Sequence, residues 1–281
     1  MVDARYDFGG RSVLITGATG GIGLSTALKF YKSGANVLLC DVEEKTLASA
    51  EAELRTNCEE AVAKGACVAS LVTDVSVPDQ VERMVQVAVE KFGKLDVAVN
   101  IAGIEGERAP ISEASIENWD KVMGVNAKGI FMCMKYELAQ MHRQMKESET
   151  SEGETAAKRR KLASDLAIVN MASTAGQGAM ADFSAYAASK AAVISLTRTA
   201  AKEVASKGVR VNAVCPSTTR TPMVARFTER WPAWQAKQNA SFPIGRIGEP
   251  EEVADVVLFL CSASSSFVTG TCVTIDGALS A

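Results

Sequence analysis

Short apolar, β-branched runs alternate along the chain with amphipathic stretches of about fifteen residues. The runs are 12–16, 36–40, 67–73, 95–100, 167–171, 209–214 and 272–275. Helical patterns begin near Gly21, Glu43, Pro78, Ser115, Phe183 and Glu249. Pro78 sits where a first helical turn tolerates proline, because its missing N–H would lack a partner there anyway. Strands separated by helices of this length predict an α/β protein built on a doubly wound parallel sheet of about seven strands, with helices on both faces. Strands in such a sheet are buried on both sides and read as nearly continuous apolar runs. The segments DVAVNIA (96–102) and VRVNAV (209–214) do so. No internal repeat interrupts the alternation, so residues 1–281 are expected to form one domain.

One stretch breaks the pattern. Residues 146–165, KESETSEGETAAKRRKLASD, are polar, charged and free of aromatics. Such a composition buries too little apolar surface to offset its ordering entropy, which predicts an exposed, flexible insertion between a helix and a strand. Its basic cluster at 158–161, KRRK, reads either as a solvated charge run or as a nuclear-import signal.

Composition narrows the class. Hydrophobic residues make up 47% and charged residues 22% of 281, as in ordinary globular proteins. A net charge of −3 gives no electrostatic case for nucleic acid, and no apolar run is long enough to span a bilayer. The first ten residues carry Asp3 and Asp7 and lack an apolar signal-peptide core. Seven cysteines without a CxxC pair suggest buried thiols in a reducing, cytoplasmic setting. His142 is the only histidine, which removes a His-rich metal site. It has no motif around it and reads as a helix-packing or surface residue.

The first predicted strand runs into Thr16-Gly17-Ala18-Thr19-Gly20-Gly21-Ile22-Gly23 and then a helix. Glycines permit a tight turn and close backbone approach to a pyrophosphate, while the helix N-terminus presents free N–H groups to that anion. The second strand leads into Asp41 and Val42. Asp41 is placed to accept hydrogen bonds from an adenosine ribose and would repel a 2′-phosphate, which favours NAD over NADP. The other reading of Asp41 is a cap for the helix near Glu43. Asp74-Val75 and Asn100-Ile101-Ala102-Gly103 end the third and fourth strands, where ligands gather in such sheets. Asp74 could take the adenine amino group, and Gly103 would let the backbone approach the cofactor.

The sharpest chemical signal is Ser173 followed by Tyr186 and Lys190. Helical positions i and i+4 share a face, so the lysine ammonium would favour the tyrosine phenolate. An unperturbed tyrosine, with a pKa of about 10, is a poor base at neutral pH. A neighbouring cation lowers that value, and the phenol can then exchange a proton with an alcohol or carbonyl oxygen. Ser173 could donate a hydrogen bond to the same oxygen.

With these motifs in this order, the chain resembles the short-chain dehydrogenase/reductase superfamily over nearly its whole length. The resemblance rests on Thr16–Gly23, on Asn100 to Gly103 with Ile101 where a second Asn is usual, on Asn126 in GVNAKG, and on Ser173, Tyr186 and Lys190. It implies a Rossmann-type single domain with Tyr186 as general acid/base. Lys190 would lower the tyrosine pKa and bind the nicotinamide ribose, Ser173 would orient the substrate oxygen, and Asn126 would hold a water relaying protons from Lys190. Pro216, Thr219 and Thr221 in PSTTRT would line the nicotinamide edge. The implied cofactor is NAD, with NADP the less favoured choice. The implied assembly is a homotetramer or homodimer built on the long helices near Ser115 and Phe183.

The chain departs from that pattern in three places. Ser217 stands where Gly usually follows Pro216, and a positive φ there would strain it. Ala278 replaces the second Gly of an Asp-Gly-Gly, and the 146–165 insertion is extra. The loop also satisfies TGxxGxxG, the spacing of a longer branch of the superfamily, but only about sixty residues follow Thr221, too few for that branch's substrate domain. Residues 217–245 are expected to form a substrate lid. Its Phe227, Trp231, Trp234 and Phe242 would either face an apolar or cyclic alcohol or ketone, or pack the lid on its own domain. Gln177 is expected to face the pocket as well, and Arg220, Arg226 or Arg230 would either meet a substrate carboxylate or be surface residues. The sequence therefore predicts an oxidoreductase of secondary alcohols and ketones. The alternatives are an NADPH-dependent carbonyl reductase, a non-redox enzyme on the same fold, and a cofactor-binding scaffold.

Overall fold

The computed structural model describes residues 6–63, 65–150, 166–230 and 240–281. Their centre is one parallel sheet ordered β3-β2-β1-β4-β5-β6-β7. The strands are β1 (Ser12–Thr16), β2 (Asn36–Asp41), β3 (Val68–Val72), β4 (Val97–Asn100), β5 (Ala167–Met171), β6 (Arg210–Pro216) and β7 (Cys272–Ile275). The helices are α1 (Gly21–Lys32), α2 (Glu44–Asn57), α3 (Glu59–Ala63), α4 (Pro78–Phe92), α5 (Ile116–Met123), α6 (Ile130–Thr150), α7 (Thr174–Gln177), α8 (Ser184–Val204), α9 (Pro222–Arg230) and α10 (Pro250–Cys261). The predicted doubly wound sheet is thus the observed one. Strand order reverses between β1 and β4, and ligands of such sheets bind outside the carboxyl ends of the strands at that point.

The alternation of side chains along each strand builds two cores. Leu14, Leu38, Ala98 and Ile168 face α4, α6 and α8, meeting Met84, Ile130, Met134 and Val193. Val13, Ile15, Val37, Leu39, Val97 and Val169 face α1, α2 and α10, meeting Phe30, Leu47, Leu54 and Val257. Burial on both faces is why these strands carry runs of Val, Leu and Ile.

Local chemistry sets the helix ends. Pro78 opens α4, and Gly93 closes it at φ 79°. The Ser115 side chain caps α5 by accepting from the Asn118 N–H, and a reciprocal pair between Glu249 and Glu252 opens α10. Between α5 and α6 the chain forms a π-helical turn, Gly124–Gly129, a geometry that recurs at functional sites. Periodicity could not reveal it.

Three expectations need correction. The insertion expected at 146–165 begins inside α6, which continues to Thr150; positions 151–165, the KRRK cluster included, lie outside the described residues. Ser217 does not take a positive φ, whereas Ala278 does, at 68°. The strain expected after Pro216 therefore falls at the second departure from the glycine pattern instead. Asp41 does not cap α2, which starts after Glu43 without a side-chain cap bond.

Candidate active site

A cavity of about 1370 Å³ runs along the carboxyl ends of the strands. One end is walled by Gly17, Thr19 to Gly23, Asp41, Val42, Asp74 and Val75, and the other by Met180, Phe183, Met223, Val224 and Leu279. Ser173, Tyr186 and Lys190 lie between them, with Ala102, Gly103, Pro216, Thr219 and Thr221 on the same wall.

The glycine loop is shaped by contacts that exclude side chains. Gly17 has φ 66°, and a Cβ there would stand 2.8 Å from the Ala102 nitrogen. A Cβ on Gly23 would fall 2.0 Å from the Gly17 carbonyl oxygen. The turn can therefore close only with glycine at both places, and it delivers the N-terminus of α1 to the cavity. Asp41 anchors the loop from the neighbouring strand. Its Oδ2 accepts from the Thr19 N–H at 3.0 Å and the Thr19 hydroxyl at 2.7 Å, and its Oδ1 accepts from the Val42 N–H at 2.8 Å. Asp74 receives the Ser76 N–H and hydroxyl on Oδ1, which leaves Oδ2 free to accept at the cavity wall. A bare glycine cradle at a helix start, an acidic strand end beside it and a long adjoining cleft fit a dinucleotide.

Lys190 is 3% exposed. It donates from Nζ to the Met171 carbonyl at 2.7 Å, and burial lowers its pKa to about 8. Its Nζ lies 5.7 Å from the centroid of the Tyr186 ring. The phenol and the Ser173 hydroxyl line the same cavity wall. Ser173 caps α7 by accepting the Ala175 N–H at 3.1 Å, with the Pro216 carbonyl 3.4 Å from its Oγ. The Tyr186 pKa is pushed above its ordinary value. Loss of solvent is the main cause and the Glu105 carboxylate adds to it, while the Ser173 hydrogen bond acts the other way. The lysine was expected to lower this pKa. Burial outweighs any such help.

Two site candidates do not reach the cavity with their side chains. Asn100 is wholly buried and donates to the Glu137 carboxyl and the Asn170 amide, each at 3.0 Å, on the far side of the sheet end. Asn126 is also wholly buried. Its amide donates to the Ile104 carbonyl at 2.8 Å and to Ser189 Oγ at 3.1 Å, and its Oδ1 accepts the Ile104 N–H at 2.8 Å. With both amide hydrogens spent, Asn126 works first as a clamp on the loop after β4, and only Oδ1 keeps acceptor capacity for a water.

Other expectations divide. Thr221 caps α9 through the Val224 N–H at 3.3 Å and packs on Gly21, where a Cβ would meet its Cγ2 at 2.9 Å. Gln177 lines the cavity and pairs with Thr274 at 3.0 Å. Arg226 lines the cavity, whereas Arg220 is held by Glu249 at 3.0 Å. Phe242 is buried against the Gly277 turn, so it packs on its own domain. Trp231 and Trp234, and the side chains of Phe227 and Arg230, lie outside the described residues. The sequence places the substrate pocket after Gly103, after Ser173 and over 223–243, and Glu105 and Met180 from the first two stretches line the cavity, as does Phe183, though no motif singles out any of the three. Among the described residues no group of three His, Cys, Asp or Glu side chains could hold a metal, and no helix is long and apolar enough to cross a membrane.

Comparison with known proteins settles the lineage. Residues 17–280 match the family model described as enoyl-(acyl carrier protein) reductase. The chain belongs to the short-chain dehydrogenase/reductase superfamily. It is 38% identical over 271 residues to cyclohexanol dehydrogenase of Acinetobacter sp. strain SE19, covering 96% of this chain and 95% of the relative. It is also 38% identical over 272 residues to 3-oxoacyl-(acyl-carrier-protein) reductase of Thermotoga maritima, covering 96% and 98%. Among solved structures, NAD+-bound xylitol dehydrogenase superposes with a TM-score of 0.82 at 33% identity, covering 95% of this chain and 98% of that one. As a member of this superfamily the protein is an oxidoreductase acting on CH–OH groups with NAD(P).

Proposed function

We propose that the protein is an NAD-dependent dehydrogenase interconverting a secondary alcohol and a ketone on an apolar, cyclic substrate, with Tyr186 as general acid/base. The observation that carries this reading is the gathering of Ser173, Tyr186 and Lys190 on one cavity wall, between the glycine cradle and the apolar end. In the oxidative direction Ser173 donates to the substrate oxygen, and Tyr186 Oη takes the hydroxyl proton as the carbonyl forms. Lys190, held by Met171, keeps a positive charge near the phenol and returns the proton toward the Asn126 side of the site. The nicotinamide, when bound, supplies the hydride acceptor at its ring. Gly17 to Gly23 would hold its pyrophosphate, Asp41 the adenosine ribose, Asp74 the adenine, and Pro216, Thr219 and Thr221 the nicotinamide edge.

Met180, Phe183, Met223, Val224 and Leu279 make the substrate end mainly apolar, which suits a ring. The name of the cyclohexanol dehydrogenase relative supports the same class. Asp41 is the ground for preferring NAD, because its carboxylate would repel a 2′-phosphate. Trp119 and Phe131, on α5 and α6, are 40% and 50% exposed and support assembly through these helices as a homodimer or homotetramer.

The test is titration with NADH and, separately, NADPH by nicotinamide fluorescence, followed by turnover of cyclic alcohols by wild type and Tyr186→Phe. Tighter NADH binding and turnover lost in the variant are expected. Tighter NADPH binding would overturn the Asp41 reading, and full turnover by Tyr186→Phe would overturn the acid/base assignment.

A further inference from the structure

The substrate end of the cavity is mainly apolar, with charged exceptions that include Glu105 and Arg226. Glu105 lines it, is half-buried, and has no hydrogen-bond or ion-pair partner among the described residues. Its backbone is held from both sides. Asn126 clamps Ile104 through its N–H and C=O, both at 2.8 Å. Two residues on, Glu107 donates its N–H to Asn118 Oδ1 at 2.9 Å. Between them Gly106 takes φ 75°, and a Cβ there would come within 2.5 Å of Val122, so the loop is pressed onto α5. The backbone that carries the carboxylate is therefore fixed, and the side chain lines the cavity. It stands close enough to Tyr186 for its charge to oppose ionisation of the phenol.

A half-buried carboxylate without a partner carries a desolvation cost that a ligand donor would relieve. Burial raises the Glu105 pKa, and the Arg226 charge partly offsets this. Arg226 approaches without forming an ion pair, so it disfavours a second cation beside Glu105 while leaving the carboxylate oxygens able to accept. A neutral donor, a hydroxyl, meets both conditions better than an ammonium. A carboxylate-bearing substrate would meet repulsion from Glu105.

Building on the alcohol/ketone reading above, we infer that Glu105 is a specificity-determining residue that accepts a hydrogen bond from a second hydroxyl of the substrate, so that ring diols are preferred to simple ring alcohols. The reacting hydroxyl lies at Ser173 and Tyr186, the ring body lies against Met180, Phe183 and Met223, and the second hydroxyl reaches Glu105. A site that holds a partly desolvated polar group discriminates against an analogue that leaves the group unpaired.

The experiment is steady-state kinetics with NAD+ on cyclohexanol and on cyclohexane-1,3- and 1,4-diol, for wild type, Glu105→Gln and Glu105→Ala, with NADH binding measured on each to establish a loaded fold. Wild type should favour the better diol by about 10- to 100-fold in kcat/KM, the worth of one charge-assisted hydrogen bond. Glu105→Ala should erase that ratio mainly through KM, and Glu105→Gln, which keeps an acceptor oxygen without the charge, should retain part of it. Comparing ratios cancels any effect on Tyr186 common to both alcohols. Equal diol-to-alcohol ratios in wild type and Glu105→Ala would overturn the inference while leaving the proposed reaction standing. Absence of turnover of every alcohol by a protein that binds NADH would overturn the proposed reaction and this inference with it.

Discussion

Lys190 Nζ lies 5.7 Å from the centroid of the Tyr186 ring, facing the aromatic surface while donating its short hydrogen bond to the Met171 carbonyl. The cation is thus positioned by backbone, and the tyrosine oxygen is left to Ser173 and the substrate. Replacing Tyr186 with Phe removes the proton carrier and keeps the ring over Lys190. A loss of about 10²- to 10⁴-fold in kcat is expected, with NADH affinity changed only slightly. Stopped-flow turnover alongside fluorescence titration checks both halves. A large loss of cofactor binding in this variant would mean that Tyr186 serves mainly to build the nucleotide site.

The groups around the phenol make opposite demands on it. Desolvation and Glu105 hold the Tyr186 pKa above its ordinary value, while Ser173 pulls it down. In ultraviolet titration of the protein without cofactor, Ser173→Ala should move the Tyr186 midpoint upward and Glu105→Gln downward. Saturation with NAD+ should also lower it, because the added positive charge favours the phenolate. The basic form therefore becomes available at higher pH in Ser173→Ala and at lower pH in Glu105→Gln or with NAD+ bound, and the acid limb of the oxidative pH–rate profile should follow. A midpoint indifferent to both substitutions would show that neither Ser173 nor Glu105 acts on the phenol.

Asp41 carries two duties that can be separated. It accepts two hydrogen bonds from Thr19, and it is the proposed ribose acceptor. Asp41→Asn keeps an acceptor oxygen for the loop but removes the charge. The expected result is weaker NADH binding and stronger NADPH binding, a combined change of about tenfold or more in their ratio. Equal weakening of both cofactors would show that the residue acts only by anchoring the loop.

Much of this was legible in the sequence because the same residues serve sheet, turn and chemistry. Gly17 and Gly23 are required by contacts of the chain with itself, so a motif read for a cofactor was also a fold signal. Tyr186 and Lys190 share a face through helical spacing alone. Asn100 and Asn126 were harder, because a polar residue near a site can point away from it. The direction of each is fixed by partners distant in sequence, Glu137 and Asn170 for one and Ile104 and Ser189 for the other. The stretch after Gly103 was expected to line the substrate pocket, but Glu105 within it could not be singled out, because its importance comes from the lack of a partner, which no spacing reveals. The π-helical turn at Gly124–Gly129 was invisible for a related reason, since it arises within a continuous helical pattern.

Ala278 sits at φ 68° in the turn after β7, where Asp276 accepts the Ala278 and Ser280 N–H groups. A left-handed conformation strains any residue with a Cβ by about 1–2 kcal/mol, while glycine restores part of that as unfolded-state entropy. Ala278→Gly should therefore raise stability by a few tenths to about 1 kcal/mol. The urea midpoint reads this directly. A lower midpoint would mean that the alanine methyl makes a compensating contact. The neighbouring Leu279 and Ser280 line the cavity, so the same variant reports whether this turn tunes the substrate end.

Glu137 is a carboxyl with 0% exposure, bound by Asn100 at 3.0 Å, and one of its oxygens has no partner among the described residues. Burial raises its pKa from 4.5 to about 8, against a smaller lowering by the Asn100 hydrogen bond. A raised carboxyl pKa means that the folded protein holds a proton the unfolded chain has already released. Between those two values the folded state binds more protons, so stability falls as pH rises through this window and is retained below it. Glu137→Gln keeps the shape and an oxygen for Asn100, adds an N–H donor, and has no charge to bury. Wild type should lose stability from acidic to mildly alkaline pH, and the variant should flatten this slope and be the more stable protein at the alkaline end. Urea midpoints across that range test it. Parallel curves for the two proteins would mean that Glu137 is ionised in the fold at neutral pH and that its charge is stabilised by something other than Asn100.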